Sequence, residues 1–221
     1  MKKTTFFKSV IFDLDGTLLD TIEDIADSVN SVLTDMGLSG YSLNRYRYFV
    51  GQGMELLAHR ILPEKMRKEH TINAFVNRVK EEYGKRWARN TYPYKGISLV
   101  LEELFAKGII LNVLSNKPDE FVKPAVRHFF KEIKFVHILG SHPQRPNKPD
   151  PAGALQIASA LSLSPEECVY VGDTHTDMET STAAGMFAVG VLWGFRTEKE
   201  LKDAGAARIL HEPGELLQLF E

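Results

Sequence analysis

One cysteine, Cys168, is all that the 221 residues carry. A disulfide within the chain and a thiolate zinc cluster are both excluded by that scarcity, and because Cys168 falls in an apolar run its expected role is a packed thiol in a reducing compartment. Charge of one sign is missing too: 27 Lys and Arg against 29 Asp and Glu leave a formal net charge of −2. No basic excess is present to draw the protein onto nucleic acid or an anionic membrane. Membrane-spanning apolar stretches, repeats and low-complexity tracts are absent as well. Lys2 and Lys3 open the chain as a signal peptide would, but the apolar stretch behind them is short, is broken by Lys8 and ends at Asp13. A globular, cytoplasmic protein is expected, with 43% hydrophobic residues to fill one large core or two smaller ones.

What the chain does have is an apolar run, Val10-Ile11-Phe12, that stops at Asp13-Leu14-Asp15-Gly16-Thr17. The run reads as a buried strand, and a period of two sends Asp13 and Asp15 off its end on the same side. Two carboxylates so close repel each other unless a cation lies between them or one keeps a proton, and both conditions suit phosphoryl transfer. Gly16 allows a sharp turn, and Thr17 adds a hydroxyl. An ordinary Asp-Gly hairpin turn is the bland alternative. A calcium loop is ruled out, because its register would put Ile11 and Ile22 at ligand positions.

From Thr21 to about Asn90 the periodicity is helical. Ile22, Ile25, Ala26, Val29, Val32, Leu33 and Met36 share one face, with Thr21 and Asp24 at its start and Gly37 at its end. Ser42 can cap the next helix, Gly51-Gln52-Gly53 interrupts the pattern, Pro63 marks another boundary, and 72–88 are amphipathic. Beyond Tyr92-Pro93-Tyr94-Lys95-Gly96, apolar runs at 109–114, 135–139, 169–172 and 187–193 alternate with helical stretches, and a weaker strand falls at 208–211. That alternation predicts a parallel sheet covered on both faces, with a helical insert after its first strand.

Open sheets of this kind bind ligands at the carboxyl ends of their strands. The second strand delivers Ser115 and Asn116 there, the third a polar loop with Lys148-Pro149, and the fourth Gly172-Asp173-Thr174-His175-Thr176-Asp177. Alone, Ser115 reads as a helix cap, Lys148 as a solvated charge and Asp173 as another cap. Together they bring a hydroxyl, a cation and further carboxylates to the rim that holds Asp13 and Asp15.

This series, Asp13-Leu14-Asp15-Gly16-Thr17, Ser115-Asn116, Lys148-Pro149 and Gly172-Asp173 with Asp177, resembles the four motifs of the haloacid dehalogenase superfamily of phosphohydrolases over essentially the whole chain. The helical insert resembles that superfamily's cap, and Arg47 with Val50-Gly51-Gln52-Gly53 is similar to a cap segment of its phosphoglycolate-phosphatase-like members. The resemblance implies a Rossmann-like α/β core at 1–18 and 93–221 and an all-helical cap domain at 19–92. It implies a Mg2+-dependent phosphatase acting on a small phosphorylated metabolite, with 2-phosphoglycolate foremost. Asp13 would be the nucleophile, forming an aspartyl-phosphate, and Asp15 the general acid and base. The metal would be held by Asp13, Asp15 through its backbone carbonyl, and Asp173, with Asp177 at the metal site orienting its waters. Substrate would meet Thr17, Ser115, Asn116 and Lys148 in the core and Arg47 and Gly51 in the cap, Arg47 reaching a substrate carboxylate. Asp15 argues against carbon–halogen cleavage. A sugar phosphomutase uses the same Asp pair and stays open. A receiver-type signalling domain, a switch rather than a catalyst, is disfavoured by the motif spacing and the insert. Gly51-Gln52-Gly53 lacks the third glycine and preceding strand of a dinucleotide site.

Overall fold

The computed structural model describes residues 7–221, so Lys2 and Lys3 lie outside the described residues. In chain order the strands are β1 (Ser9–Phe12), β2 (Leu19–Asp20), β3 (Tyr92–Pro93), β4 (Ile110–Pro118), β5 (Phe135–Ser141), β6 (Cys168–Gly172), β7 (Phe187–Val191) and β8 (Arg208–Leu210). Six of them form a parallel sheet in the order β5-β4-β1-β6-β7-β8. Strand β1 is thus central, and the chain leaves it toward β4 on one side and β6 on the other. Its carboxyl end is the switch point where open α/β sheets bind ligands.

Both faces of the sheet are covered, and the residues divide between them with a period of two. Val10 and Phe12 of β1, with Val169 and Val171 of β6, pack with α5 (Ile97–Ala106) and α6 (Asp119–Phe129). Ile11, Cys168 and Tyr170 face the other way, onto α7 (Ala152–Ala160) and α8 (His175–Ala184). Alternating burial of this kind in a central strand leaves no solvent face, which accounts for its continuous apolar run. Cys168 is the packed thiol expected of it, and burial pushes that thiol up to about 11.

Between β2 and β3 lie four helices: α1 (Ile22–Asp35), α2 (Leu43–Phe49), α3 (Met54–Ile61) and α4 (Glu69–Gly84). Val29, Leu33, Tyr46, Ala58, Phe75 and others form a second, separate core there. The insert leaves and re-enters through β2 and β3, which pair antiparallel. Some boundaries differ from the expected ones. Helix α4 starts before residue 72 and ends at Gly84, where the chain tightens into turns through Lys85 and Trp87. Strand β4 runs on through Ser115 and Asn116, with an irregular register between Leu114 and Pro118. Strand β7 stops at Val191, short of Trp193.

Asp24 opens α1 but does more than favour a helix start. Fully buried, it accepts hydrogen bonds from the Asn90 N–H, at 3.0 Å to each carboxylate oxygen, and from Thr91 Oγ1 at 2.8 Å. It thereby fastens the end of the insert to its beginning. Asp24→Ala leaves those donors without a partner and is expected to cost about 2–4 kcal/mol of unfolding free energy, read from denaturant midpoints at constant slope.

Candidate active site

Asp13 continues the β1 ladder by donating its N–H to Val171 O at 2.9 Å, so its carboxyl stands at the strand's very end. Asp15 follows, and the two line one cavity, as the strand period predicts. The chain turns at Gly16, where φ is +88° and an added Cβ would come within 2.3 Å of Asp173 Oδ2. Only glycine permits that approach. The hairpin alternative fails because β1 pairs in parallel with both of its neighbours.

Asp13, Asp173 and Asp177, all buried, place carboxylate oxygens within 4.8 Å of one another. Thr17 Oγ1 donates to Asp173 Oδ1 at 3.0 Å, and the Phe195 N–H donates to Asp173 Oδ2 at 2.8 Å. Asp177 Oδ2 accepts from the N–H and hydroxyl of Thr174 at the start of α8. Asp173 and Asp177 are therefore aimed, while Asp13 Oδ1, also buried, meets the Lys148 ammonium at 3.0 Å. Three converging hard oxygen donors and glycines that leave room only for the carboxylates fit a divalent cation such as Mg2+. The Asp15 carboxylate is outside this cluster; it takes Lys117 instead.

Crowding shows in the protonation of the group. Burial pushes Asp13 up to about 7, with Lys148 pulling it down and Asp177 and Asp15 pushing it further up. Burial, then repulsion from Asp177 and Asp13, holds Asp173 well above the usual carboxylate range. A carboxyl that binds its proton more tightly folded than unfolded stabilises the fold while protonated. For Asp13 that contribution is complete below 3.8 and is lost as the pH rises through about 7. Metal-free protein should accordingly lose stability over that window, and Asp13→Asn should flatten the slope. Mg2+ at a hundredfold over its Kd should restore roughly 2.7 kcal/mol at neutral pH. Thermal melts of both proteins across the window, with and without Mg2+, check this.

Lys148, from the loop after β5, is 3.0 Å from Asp13 Oδ1 and 2.6 Å from Asp177 Oδ1. Asn116 holds that loop: its Oδ1 accepts from the Lys148 N–H at 2.8 Å, and its Nδ2 donates to Lys148 O at 2.9 Å and to Gly51 O at 3.1 Å. Its amide is thus engaged with backbone, and Thr17 with Asp173, while Asn116 still lines the cavity. Ser115 and Gly51 line it too. Arg47 does not. Its guanidinium donates to Gly194 O at 3.0 Å, which ties the insert to the loop after β7. The cavity's outer wall is apolar: Ile25, Val29, Met54, Leu57 and Val79 from the insert, with Phe121 from α6.

Two contributors stand outside the four motifs. Lys117 pairs with Asp15 at 2.8 Å and sits over the Tyr83 ring. Phe195 aims Asp173 through its N–H while its ring packs into the core of the insert. The loop 192–196 ends a fifth strand at the same rim, and that position was the signal available for it.

Comparison with known proteins agrees with this geometry. The chain is 31% identical over 199 residues to the phosphoglycolate phosphatase of Psychrobacter arcticus, covering 87% of this chain and 86% of that one. It is 31% identical over 213 residues to the phosphoglycolate phosphatase of Aquifex aeolicus, covering 96% of each. The crystal structure of a predicted phosphoglycolate phosphatase from Haemophilus somnus superposes with a TM-score of 0.89 at 28% identity, over 98% of this chain and 99% of that one. A haloacid dehalogenase-like protein of Streptococcus pneumoniae shares the fold, with a TM-score of 0.88 at 24% identity over 98% of this chain and 100% of that one. Residues 10–191 match the model of the haloacid dehalogenase-like hydrolases, a span that runs from β1 to the end of β7, and the chain belongs to that family.

Proposed function

We propose that the protein is a Mg2+-dependent phosphatase that hydrolyses a small phosphomonoester through an aspartyl-phosphate. The observation that carries this is the Asp13 carboxyl, held buried at the end of β1 with the Lys148 ammonium 3.0 Å from its Oδ1 and the carboxylates of Asp173 and Asp177 beside it. Asp13 attacks phosphorus. A new P–O bond forms to its carboxylate as the ester P–O bond breaks, and the departing alkoxide oxygen takes the proton of Asp15. Asp15, now ionised, takes a proton from water, whose oxygen attacks the same phosphorus and frees both Asp13 and inorganic phosphate. Ser115 and Lys148 hold the phosphoryl oxygens. Asp13, Asp173, Asp177 and the Asp15 carbonyl would hold or orient Mg2+, which would supply charge to offset that of the phosphoryl group. Splitting the reaction matters, because enzymes accelerate phosphomonoester hydrolysis by up to about 10²¹-fold and one general acid contributes roughly 10²- to 10⁴-fold.

Residues 19–92 act as the cap and 1–18 with 93–221 as the catalytic core, and closure of the cap keeps water out while the leaving group is positioned. The single buried thiol suits work in the cytoplasm. The names of the relatives make 2-phosphoglycolate the first compound to test, with pyrophosphate, nucleoside monophosphates and sugar phosphates as competitors. Phosphate release from that panel, with and without Mg2+, tests the reading. Turnover that needs Mg2+ supports it; a phosphoryl group returned to a bound sugar phosphate instead of to water would identify a mutase.

A further inference from the structure

We infer that Lys117 is the substrate-carboxylate receptor of this site, selecting phosphomonoesters whose alcohol carries a carboxylate on the carbon next to the ester oxygen. The inference rests on the phosphatase reading above. It starts from the division of the two buried lysines. Lys148 lies on the Asp13 side, 3.0 Å from the nucleophile and 2.6 Å from Asp177, and so belongs to the phosphoryl group. Lys117 lies on the Asp15 side, 2.8 Å from Asp15 Oδ1, and so belongs to the leaving group.

An ammonium has three donors, of which Asp15 takes one, while the Tyr83 ring faces the cation at 4.5 Å from ring centre to Nζ. Lys117 lines the cavity and is its only cation among the described residues. The arginines near the cap are committed elsewhere. Arg47 serves Gly194 O, Arg60 serves Phe49 O, and Arg196 serves the carbonyls of Arg47 and Val50. A second anionic group on the substrate therefore has one place to go.

Reach then defines the substrate. The ester oxygen must come within hydrogen-bonding distance of Asp15, roughly 3 Å, to be protonated. Lys117 is at that same distance from Asp15, so a carboxylate one carbon removed from the ester oxygen meets the ammonium. A carboxylate on a longer arm must fold back to reach the ammonium or lie against the apolar wall of Ile25, Val29 and Leu57, where nothing compensates its desolvation.

Matched esters test this. Ethyl phosphate differs from 2-phosphoglycolate in having a methyl where the carboxylate stands, and the phosphate ester of 3-hydroxypropanoate moves the carboxylate one carbon further. Native protein should prefer 2-phosphoglycolate over both in kcat/KM by roughly ten- to a hundredfold, the range for a hydrogen bond to a charged group. Lys117→Met should bring the ratio to ethyl phosphate close to one, with KM for 2-phosphoglycolate rising more than KM for ethyl phosphate, and Lys117→Arg should keep part of the preference. A native ratio near one overturns the inference and leaves the phosphatase intact. An equal loss on both esters in Lys117→Met also overturns it, since that is how a residue serving only to position Asp15 would behave. Phosphate release from neither ester by native protein overturns this inference, and only failure across the whole panel of phosphomonoesters overturns the phosphatase reading.

Discussion

Asp13→Asn is expected to lower phosphate release by roughly 10⁴- to 10⁶-fold, the scale seen when a nucleophile is removed from a preorganised site. An amide oxygen has nearly the shape of the carboxylate it replaces but is a far weaker nucleophile, and the ester formed by attack would leave a cationic imidate. The substitution should not unfold the protein. Asp13 is buried among Asp177, Asp173 and Asp15, and burial already pushes its protonation up to about 7. A neutral side chain there removes repulsion from Asp177 and Asp15, while its oxygen still faces Lys148. Metal-free Asp13→Asn should therefore melt no lower than native protein near neutral pH. Steady-state phosphate release, phosphoprotein detection in acid-quenched samples and a melting curve on one preparation separate the cases. Activity within tenfold of native, on protein shown to be folded, would reject Asp13 as nucleophile.

The rim that carries these residues was readable from sequence because two of its strands, β1 and β6, end in an abrupt change of chemistry. Phe12 gives way to Asp13 and Gly172 to Asp173, and both changes fall at a strand end in the structure. What could not be read was the partner of each polar side chain. Arg47 looked suited to a substrate carboxylate, yet its contact is Gly194, which is 147 positions away in sequence. Lys117 directly follows the Ser115-Asn116 motif in sequence. Its pairing with Asp15 depends on β4 lying beside β1 and on the irregular register after Leu114, neither of which periodicity encodes. Leu192 and Trp193 read as a continuing strand because apolar character alone does not distinguish a strand from a turn packed on the core. In the structure that turn lets the Trp193 indole donate to Thr17 O and lets Phe195 reach Asp173. Asp24 was legible as a helix opener but not as a buried clamp on Thr91, 67 positions along.

Asp15→Asn should separate the two halves of the reaction. With an alkyl phosphomonoester, whose alkoxide is a poor leaving group, loss of the general acid should reduce kcat by roughly 10²- to 10⁴-fold. With p-nitrophenyl phosphate the departing phenolate needs no proton, so phosphorylation of Asp13 should proceed at a rate much closer to native. The second half has no such escape. Without a base to take a proton from water, the aspartyl-phosphate should persist, and the variant should release a burst approaching one nitrophenolate per chain before slowing. Removing this carboxylate also leaves Lys117 buried without its counter-ion, at 6% side-chain exposure, which is expected to cost about 2–5 kcal/mol of stability. A fall in rate alone would therefore be ambiguous between lost acid catalysis and lost folded protein. The burst is not, because a smaller folded fraction scales its amplitude and the following steady rate together, whereas loss of the base lowers the steady rate against the amplitude. An equal loss on both esters with no burst would reject Asp15 as acid and base, and would leave its pairing with Lys117 as a purely structural contact.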